Sequence, residues 1–192
     1  MTGVLSKFRV LVAPGLHGSG PEHWQSRWQR LYPSFERIEQ DHWDQPDLAA
    51  WSARVSRVRQ QDRRPALIVA HSFGTLASVH SVARHLVGAA GAAPVAGLLL
   101  VAPADPDKFG VAAQLPRERL PCPSIVLASS NDPWMTAGHA ALWARRWGSQ
   151  FINLGALGHI NAESGLGDWL PGQRHLQKLA EQAHNEQIVN IF

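Results

Sequence analysis

Apolar residues fall along this chain in two rhythms. Four short runs, Arg9–Pro14 (RVLVAP), Ala66–Ala70 (ALIVA), Val95–Ala102 (VAGLLLVA) and Ser124–Ala128 (SIVLA), are almost continuously apolar. Strands of a parallel sheet read this way, because helices cover both faces and leave neither to water. Phe35–Gln40 and Gln150–Leu154 are weaker strand candidates. The stretches between are helical in pattern: roughly Glu22–Tyr32, Asp47–Gln61, Phe73–Val87, Thr136–Trp147 and Arg174–Asn185. In the second of these, Leu48, Trp51, Val55 and Val58 recur three or four residues apart, an apolar stripe opposite a row of arginines. Asp47 and Thr136 carry oxygens that can accept from the first free amides of a helix, so both are expected N-caps.

Alternating β and α units imply right-handed crossovers. The expected fold is α/β, a three-layer α/β/α sandwich around a mostly parallel, roughly six-stranded sheet. No repeat, low-complexity tract or long linker divides the chain, so residues 1–192 are expected to form a single domain.

At 45% hydrophobic and 17% charged, the composition supplies one sizeable core and excludes a disordered or coiled-coil chain. A net charge of +3 over 192 residues is too diffuse to make a nucleic-acid surface. The local cluster Arg54, Arg57, Arg59, Arg63 and Arg64 is expected to be a solvated helix face and end. The longest apolar stretch, Leu86–Ala104, is broken by Gly88, Gly91, Pro94 and Gly97. A membrane span needs about 20 helix-compatible apolar residues. The stretch therefore reads as helix end, loop and buried strand, with no membrane partner. The start, MTGVLSKFRVLVAPG, lacks the pattern of a secretory signal, and a cytoplasmic location is expected. The one cysteine, Cys122, excludes an internal disulfide framework and reads as a buried, inert thiol.

The chemistry begins where ALIVA runs straight into a helix through Ala70-His71-Ser72-Phe73-Gly74. That is the setting of a nucleophile elbow, in which small residues flank a serine held in a tight, strained turn. Gly74 fits, and Ala70 stands where glycine is usual. A serine in such a turn often merely caps a helix. As a nucleophile it needs a histidine to take its proton and an acid to orient that histidine. Asp132 follows SIVLA and His159 follows the last candidate strand, each in a loop at a strand's carboxyl end. Groups that converge on a ligand lie at that edge of a parallel sheet. The three residues also come in the order serine, acid, histidine used by this class of fold. Asp105 competes for the role of acid, since it follows the preceding strand. Pro14-Gly15-Leu16-His17-Gly18-Ser19-Gly20, after the first strand, is a candidate oxyanion loop. The backbone N–H groups of Leu16 and Phe73 are the expected oxyanion donors.

At these residues the chain resembles a known family. P-G-x-x-G-S-x-x-H-W near the start, [AG]-H-S-x-G, S-x-N-D-P and G-H-I-N together look like the small serine hydrolases related to retinoblastoma-binding protein nine and the bacterial YdeN proteins. The likeness runs from about Val10 to His184. It implies a compact α/β-hydrolase fold without a large cap domain, supports Ser72, Asp132 and His159 as the triad, and implies cleavage of small carboxylic esters and related acyl bonds. The mammalian member's pocket-protein binding motif, Leu-x-Cys-x-Glu, is present only as Leu120-Pro121-Cys122-Pro123-Ser124, without its glutamate, so that partner is not expected.

The expected function is therefore a serine esterase with an acyl-enzyme intermediate. An amidase or aminopeptidase on the same triad is the alternative, with Asp105, Asp107 or Glu163 to hold a substrate ammonium. A non-catalytic interaction module is a third reading, motivated by Leu166, Trp169 and Leu170 as exposed apolar residues. His17, Trp24, Trp134 and the Phe73 side chain are expected to line the substrate pocket, and His71 to face away from the nucleophile. About 20 residues separate VAGLLLVA from SIVLA, too few for a cap, so a shallow pocket for short acyl groups is expected. Histidine spacing matches no metal motif, and no glycine-rich nucleotide fingerprint follows a strand. Neither a metal nor an organic cofactor is expected.

Overall fold

The computed structural model describes residues 3–84 and 94–189. The third helix's expected reach beyond Arg84 to Val87, and the helix end and loop read within Leu86–Ala93, lie outside the described residues. Six strands, β1 (Arg9–Ala13), β2 (Phe35–Arg37), β3 (Ala66–Ser72), β4 (Val95–Pro103), β5 (Ser124–Ala128) and β6 (Gln150–Asn153), form one sheet in the order β2-β1-β3-β4-β5-β6. Every pairing is parallel. The helices are α1 (Trp24–Leu31), α2 (Leu48–Gln60), α3 (Phe73–Arg84), α4 (Ala137–Trp147) and α5 (Leu170–Val189).

Strand alternation divides the core into two layers. Leu11, Ile68, Ala70, Leu98 and Val126 point to one face, where Trp51 of α2, Leu76 of α3 and Trp143 of α4 cover them. Val10, Val12, Leu67, Val69 and Leu99 point to the other, under Trp24 and Trp28 of α1 and Leu176 and Leu179 of α5. The uninterrupted apolar strands of the sequence are this two-sided burial. The chain leaves β1 for β2 on one side, then crosses to β3 on the other. The crevice outside the ends of β1 and β3 is thus the point where a doubly wound sheet binds its ligand. Buried Gln25 braces it, donating from Nε2 to the carbonyls of Val69 (3.0 Å) and Ala13 (3.3 Å).

Asp47 and Thr136 cap α2 and α4, accepting from the amides of Ala50 (2.9 Å) and His139 (3.2 Å). The last helix begins four residues earlier than its sequence pattern indicates. Pro171 sits in its first turn, where proline has no amide to lose, and a β-carbon on Gly172 would strike the Trp169 ring. Arg59 departs from the solvated row of arginines: it is buried. So is Trp169, which stacks near Trp28, whereas Leu170, the first residue of α5, is exposed. Burial pushes the Cys122 thiol up to about 12, which keeps it from acting as a thiolate. The segment joining β4 to β5 holds one short 3-10 turn, Ala112–Gln114, and no cap domain. Among the described residues, no helix is long and apolar enough to cross a membrane.

Candidate active site

Ser72 ends β3 and Phe73 begins α3 with nothing between them. The turn forces Ser72 to φ 53°, a left-handed conformation that costs about 1–3 kcal/mol and persists only where the surroundings impose it. Those surroundings are glycines. A β-carbon on Gly74 would collide with the carbonyls of Ala13 and Pro14. One on Gly15 would stand 2.6 Å from the Ser72 β-carbon. Ala70 is fully buried in the core, where its methyl is packed like any other. Thr75 ties the elbow from below, its Oγ1 donating to the Ser72 carbonyl at 2.7 Å.

The structure brings together Ser72, His159 and Asp132 from the ends of β3, β6 and β5. Ser72 Oγ lies 3.0 Å from His159 Nε2. On the far side of the ring, His159 Nδ1 lies 2.9 and 3.0 Å from the two Asp132 oxygens. A carboxylate only accepts, so Nδ1 carries the hydrogen and Nε2 is free to accept from the serine hydroxyl. The Asp132 side chain is almost wholly buried, and its Oδ1 also accepts from the Trp134 amide at 2.9 Å. Asp105 turns elsewhere, its Oδ2 lying 3.3 Å from His139 Nδ1.

Loops bearing the acid and the histidine are stitched to each other. The Ser130 amide donates to the Gly155 carbonyl (2.8 Å), the Leu157 amide to Ser129 Oγ (2.9 Å) and the Gly158 amide to Asn131 Oδ1 (2.8 Å). The residues just before the aspartate thus hold the histidine loop beside it.

Beneath His159 lie His71 and His23, their rings spaced 4.9 and 4.7 Å in series. Burial holds the His71 imidazole well below its ordinary range, and burial with the nearby Arg37 pushes His23 down to about 3. Both shifts favour the neutral imidazole beneath His159. His71 does not simply face away from the nucleophile, as its place in the turn indicates. Its Nε2 reaches the His159 carbonyl at 2.9 Å and it borders the cavity.

Above Ser72 opens a cavity of about 580 Å³. His17 and Trp134 border it, Trp134 largely exposed at its rim, and the Leu16 side chain borders it too. Two expectations fail. Trp24 is buried away from the cavity because its indole packs between Trp28 and Trp169. The Phe73 side chain turns down into the core against Trp51 and Phe109 and does not line the cavity. Phe109 and Lys108 are lining residues that sequence reasoning missed, and of the three carboxylates named for an ammonium substrate Asp105 and Glu163 border the cavity. The short β4–β5 segment, too small for a cap, still supplies a wall, and the cavity is roomier than a shallow depression. Phe73 is the first residue of α3, whose leading amides have no acceptor within the helix. The neighbouring loop is pinned by the His17 amide, which donates to the Trp43 carbonyl at 2.8 Å.

Asp105, Asp107 and His139 offer three potential metal-ligand atoms within 4.8 Å of one another, a grouping the sequence did not announce. Within it, His139 Nε2 accepts from the Trp143 indole at 3.2 Å, which leaves the hydrogen on Nδ1, 3.3 Å from Asp105 Oδ2.

Parallel sheet, elbow and serine–histidine contact define a serine hydrolase of the α/β-hydrolase superfamily. Comparison with known proteins makes the assignment narrower: the sequence profile of the serine hydrolase family matches residues 10–178, and the chain belongs to that family. It is similar to a protein described as a YdeN-like hydrolase from Pectobacterium atrosepticum, 39% identical over 94% of this chain and 93% of that one, with a TM-score of 0.84. The ydeN gene product of B. subtilis superimposes with a TM-score of 0.70 at 18% identity, over 90% of this chain and 98% of that one. An esterase domain from a Rhodothermus marinus protein does so with a TM-score of 0.63 at 12% identity, over 91% and 87%. These last two share the fold alone. No protein of curated function matches the sequence.

Proposed function

We propose that this hydrolase cleaves small carboxylic esters through an acyl-enzyme formed on Ser72. The observation that carries the reading is the 3.0 Å contact between Ser72 Oγ and a His159 ring whose other nitrogen is held by buried Asp132. Ser72 Oγ attacks the ester carbonyl carbon as His159 Nε2 takes its proton. Asp132 keeps the ring in the required tautomer and stabilises the imidazolium. Negative charge moves to the carbonyl oxygen, facing the amides of Leu16 and Phe73. Losing one such donor typically costs about 10²–10³ in rate. The tetrahedral centre collapses, the C–O bond to the alcohol breaks, and His159 returns its proton to the departing oxygen. Water then attacks the acyl-enzyme with His159 as base, releasing the acid and restoring Ser72. Every proton is passed between Ser72, His159, water and product.

The cavity supports acyl groups somewhat longer than acetyl, since Leu16, Ala104 and Phe109 give it apolar walls. Hydrolysis of p-nitrophenyl acetate and butyrate by the parent and by folded Ser72→Ala tests the proposal. The parent is expected to turn over both, and the variant to lose at least about a thousandfold in kcat. Hydrolysis surviving in the variant would refute it.

An amide substrate is the second reading, favoured by Glu163 at the cavity wall, where a carboxylate can meet an ammonium group. A matched pair of aminoacyl ester and amide separates the two: faster amide turnover, lost in Glu163→Gln, would support the amidase.

A further inference from the structure

The residue after the candidate base is in an unfavourable conformation. Ile160 is β-branched and fully buried, yet has φ 47°. Left-handed backbone is rare for such side chains and lasts only where neighbours enforce it. Two donors from distant parts of the chain do so. His71 Nε2 lies 2.9 Å from the His159 carbonyl, and the Trp24 indole donates to the Ile160 carbonyl at 2.8 Å. A carbonyl only accepts, so His71 bears its hydrogen on Nε2. Both donors are themselves buried and packed against other rings. Trp24 packs with ring centres 4.8 Å from both Trp28 and Trp169, and the His71 ring sits 4.9 Å from that of His159.

We propose that Trp24 and His71 are positioning residues that together hold the His159–Ile160 backbone in its left-handed turn and so aim the His159 imidazole at Ser72 and Asp132. The inference rests on the assignment of His159 as base. Trp24 does not reach the cavity and acts through the Ile160 carbonyl; His71 acts through that of His159. Ser129 and Asn131 grip the same loop from the β5 side, so its backbone is held at both ends. Without either donor the strained turn relaxes and the imidazole swings, although the serine, histidine and aspartate are all still present. A misplacement of about 1 Å at a reacting group commonly costs about a hundredfold in rate.

The test uses Trp24→Phe, which keeps an aromatic ring and removes the N–H, with His71→Leu and His71→Gln, of which only the glutamine can still donate. Thermal unfolding first establishes which variants are folded. Trp24→Phe and His71→Leu are expected to lower kcat by roughly ten- to a hundredfold with KM within about threefold, and His71→Gln to recover most of the loss. The low-field proton resonance of the His159 Nδ1–H held by Asp132 provides a readout independent of turnover. It is expected in the parent and His71→Gln, and to broaden or vanish in Trp24→Phe and His71→Leu. If Trp24→Phe does not fold, the leucine–glutamine pair at position 71 decides. Folded variants with kcat within about twofold of the parent and an unchanged resonance would overturn the proposal, as would glutamine doing no better than leucine. A parent that shows the resonance without hydrolysing esters would count against the esterase reading alone, and the resonance in the variants would still decide the positioning roles.

Discussion

Gly15 lies against Ser72 so closely that a β-carbon on it would stand 2.6 Å from the serine's own. The loop that carries the Leu16 amide can approach the nucleophile only because one side chain is missing. Gly15→Ala must push that loop away or distort the elbow. It is expected to cost about 1–3 kcal/mol in stability and at least about a hundredfold in kcat through the displaced oxyanion donor. Thermal unfolding with steady-state kinetics checks both. A variant with parental kcat would show that the loop does not serve the reaction.

Two aspartates follow adjacent strands, and they pair with different histidines. Asp132 lies 2.9 Å from His159, whereas Asp105 lies 3.3 Å from His139. Asp132→Asn is expected to lower kcat by about 10⁴, since an amide presents an N–H to the ring and favours the wrong tautomer. Asp105→Asn should change kcat less than about tenfold. The reverse ranking would move the acid to Asp105.

Stability should fall in mild acid. His23 titrates near 3 in the folded protein because burial and Arg37 oppose its charge, and His71 is shifted the same way by burial. An unfolded histidine titrates near 6.5. Between those values the unfolded chain binds more protons, so stability rises with pH there and is lost as pH falls below about 6.5. Each neutral histidine contributes a slope of about 1.4 kcal/mol per pH unit across its window. His23→Asn keeps an acceptor for the Gln25 amide and removes one such group. Denaturant melts of parent and variant from pH 7 to pH 4 should show the shallower slope in His23→Asn. Equal slopes would mean that His23 is charged when folded.

Trp134 stands at the rim of the cavity, 60% exposed, with its ring centre 6.4 Å from that of His159. It has little packing to lose, so Trp134→Ala should shift stability by no more than about 0.5 kcal/mol. Its loss from the wall is expected to raise KM for butyryl esters several-fold more than for acetyl esters. A uniform change across the acyl series would place Trp134 outside the acyl subsite.

Most of the fold was legible because the strands are buried on both faces, and an unbroken apolar run as short as ALIVA fits a strand covered on both sides better than any amphipathic element. Ser72, Asp132 and His159 were legible for a related reason: each sits at the carboxyl end of a strand, and parallel strands bring those ends to one edge of the sheet. The features that escaped depend on contacts across long stretches of chain. Trp24 read as a pocket residue from its closeness to the oxyanion loop, but the partner of its indole is the carbonyl of Ile160, 136 positions away. Phe109 lies in a segment with no periodicity, and its place opposite Phe73 depends on how β4 returns to β5. Arg59 read as one of a solvated row, although the turn of α2 carries it inward. Asp105 and Asp132 hold equivalent places along the chain, and the histidine each one meets is visible only in three dimensions.

Catalysis by this relay requires that Ser72 be an activated nucleophile. Incubation with a fluorophosphonate probe, followed by mass spectrometry of the labelled peptide, asks this without assuming any substrate. The relay predicts one adduct, on Ser72, formed by the parent, strongly slowed in Asp132→Asn and absent from folded Ser72→Ala. No adduct on the folded parent, or an adduct on another serine, would contradict it.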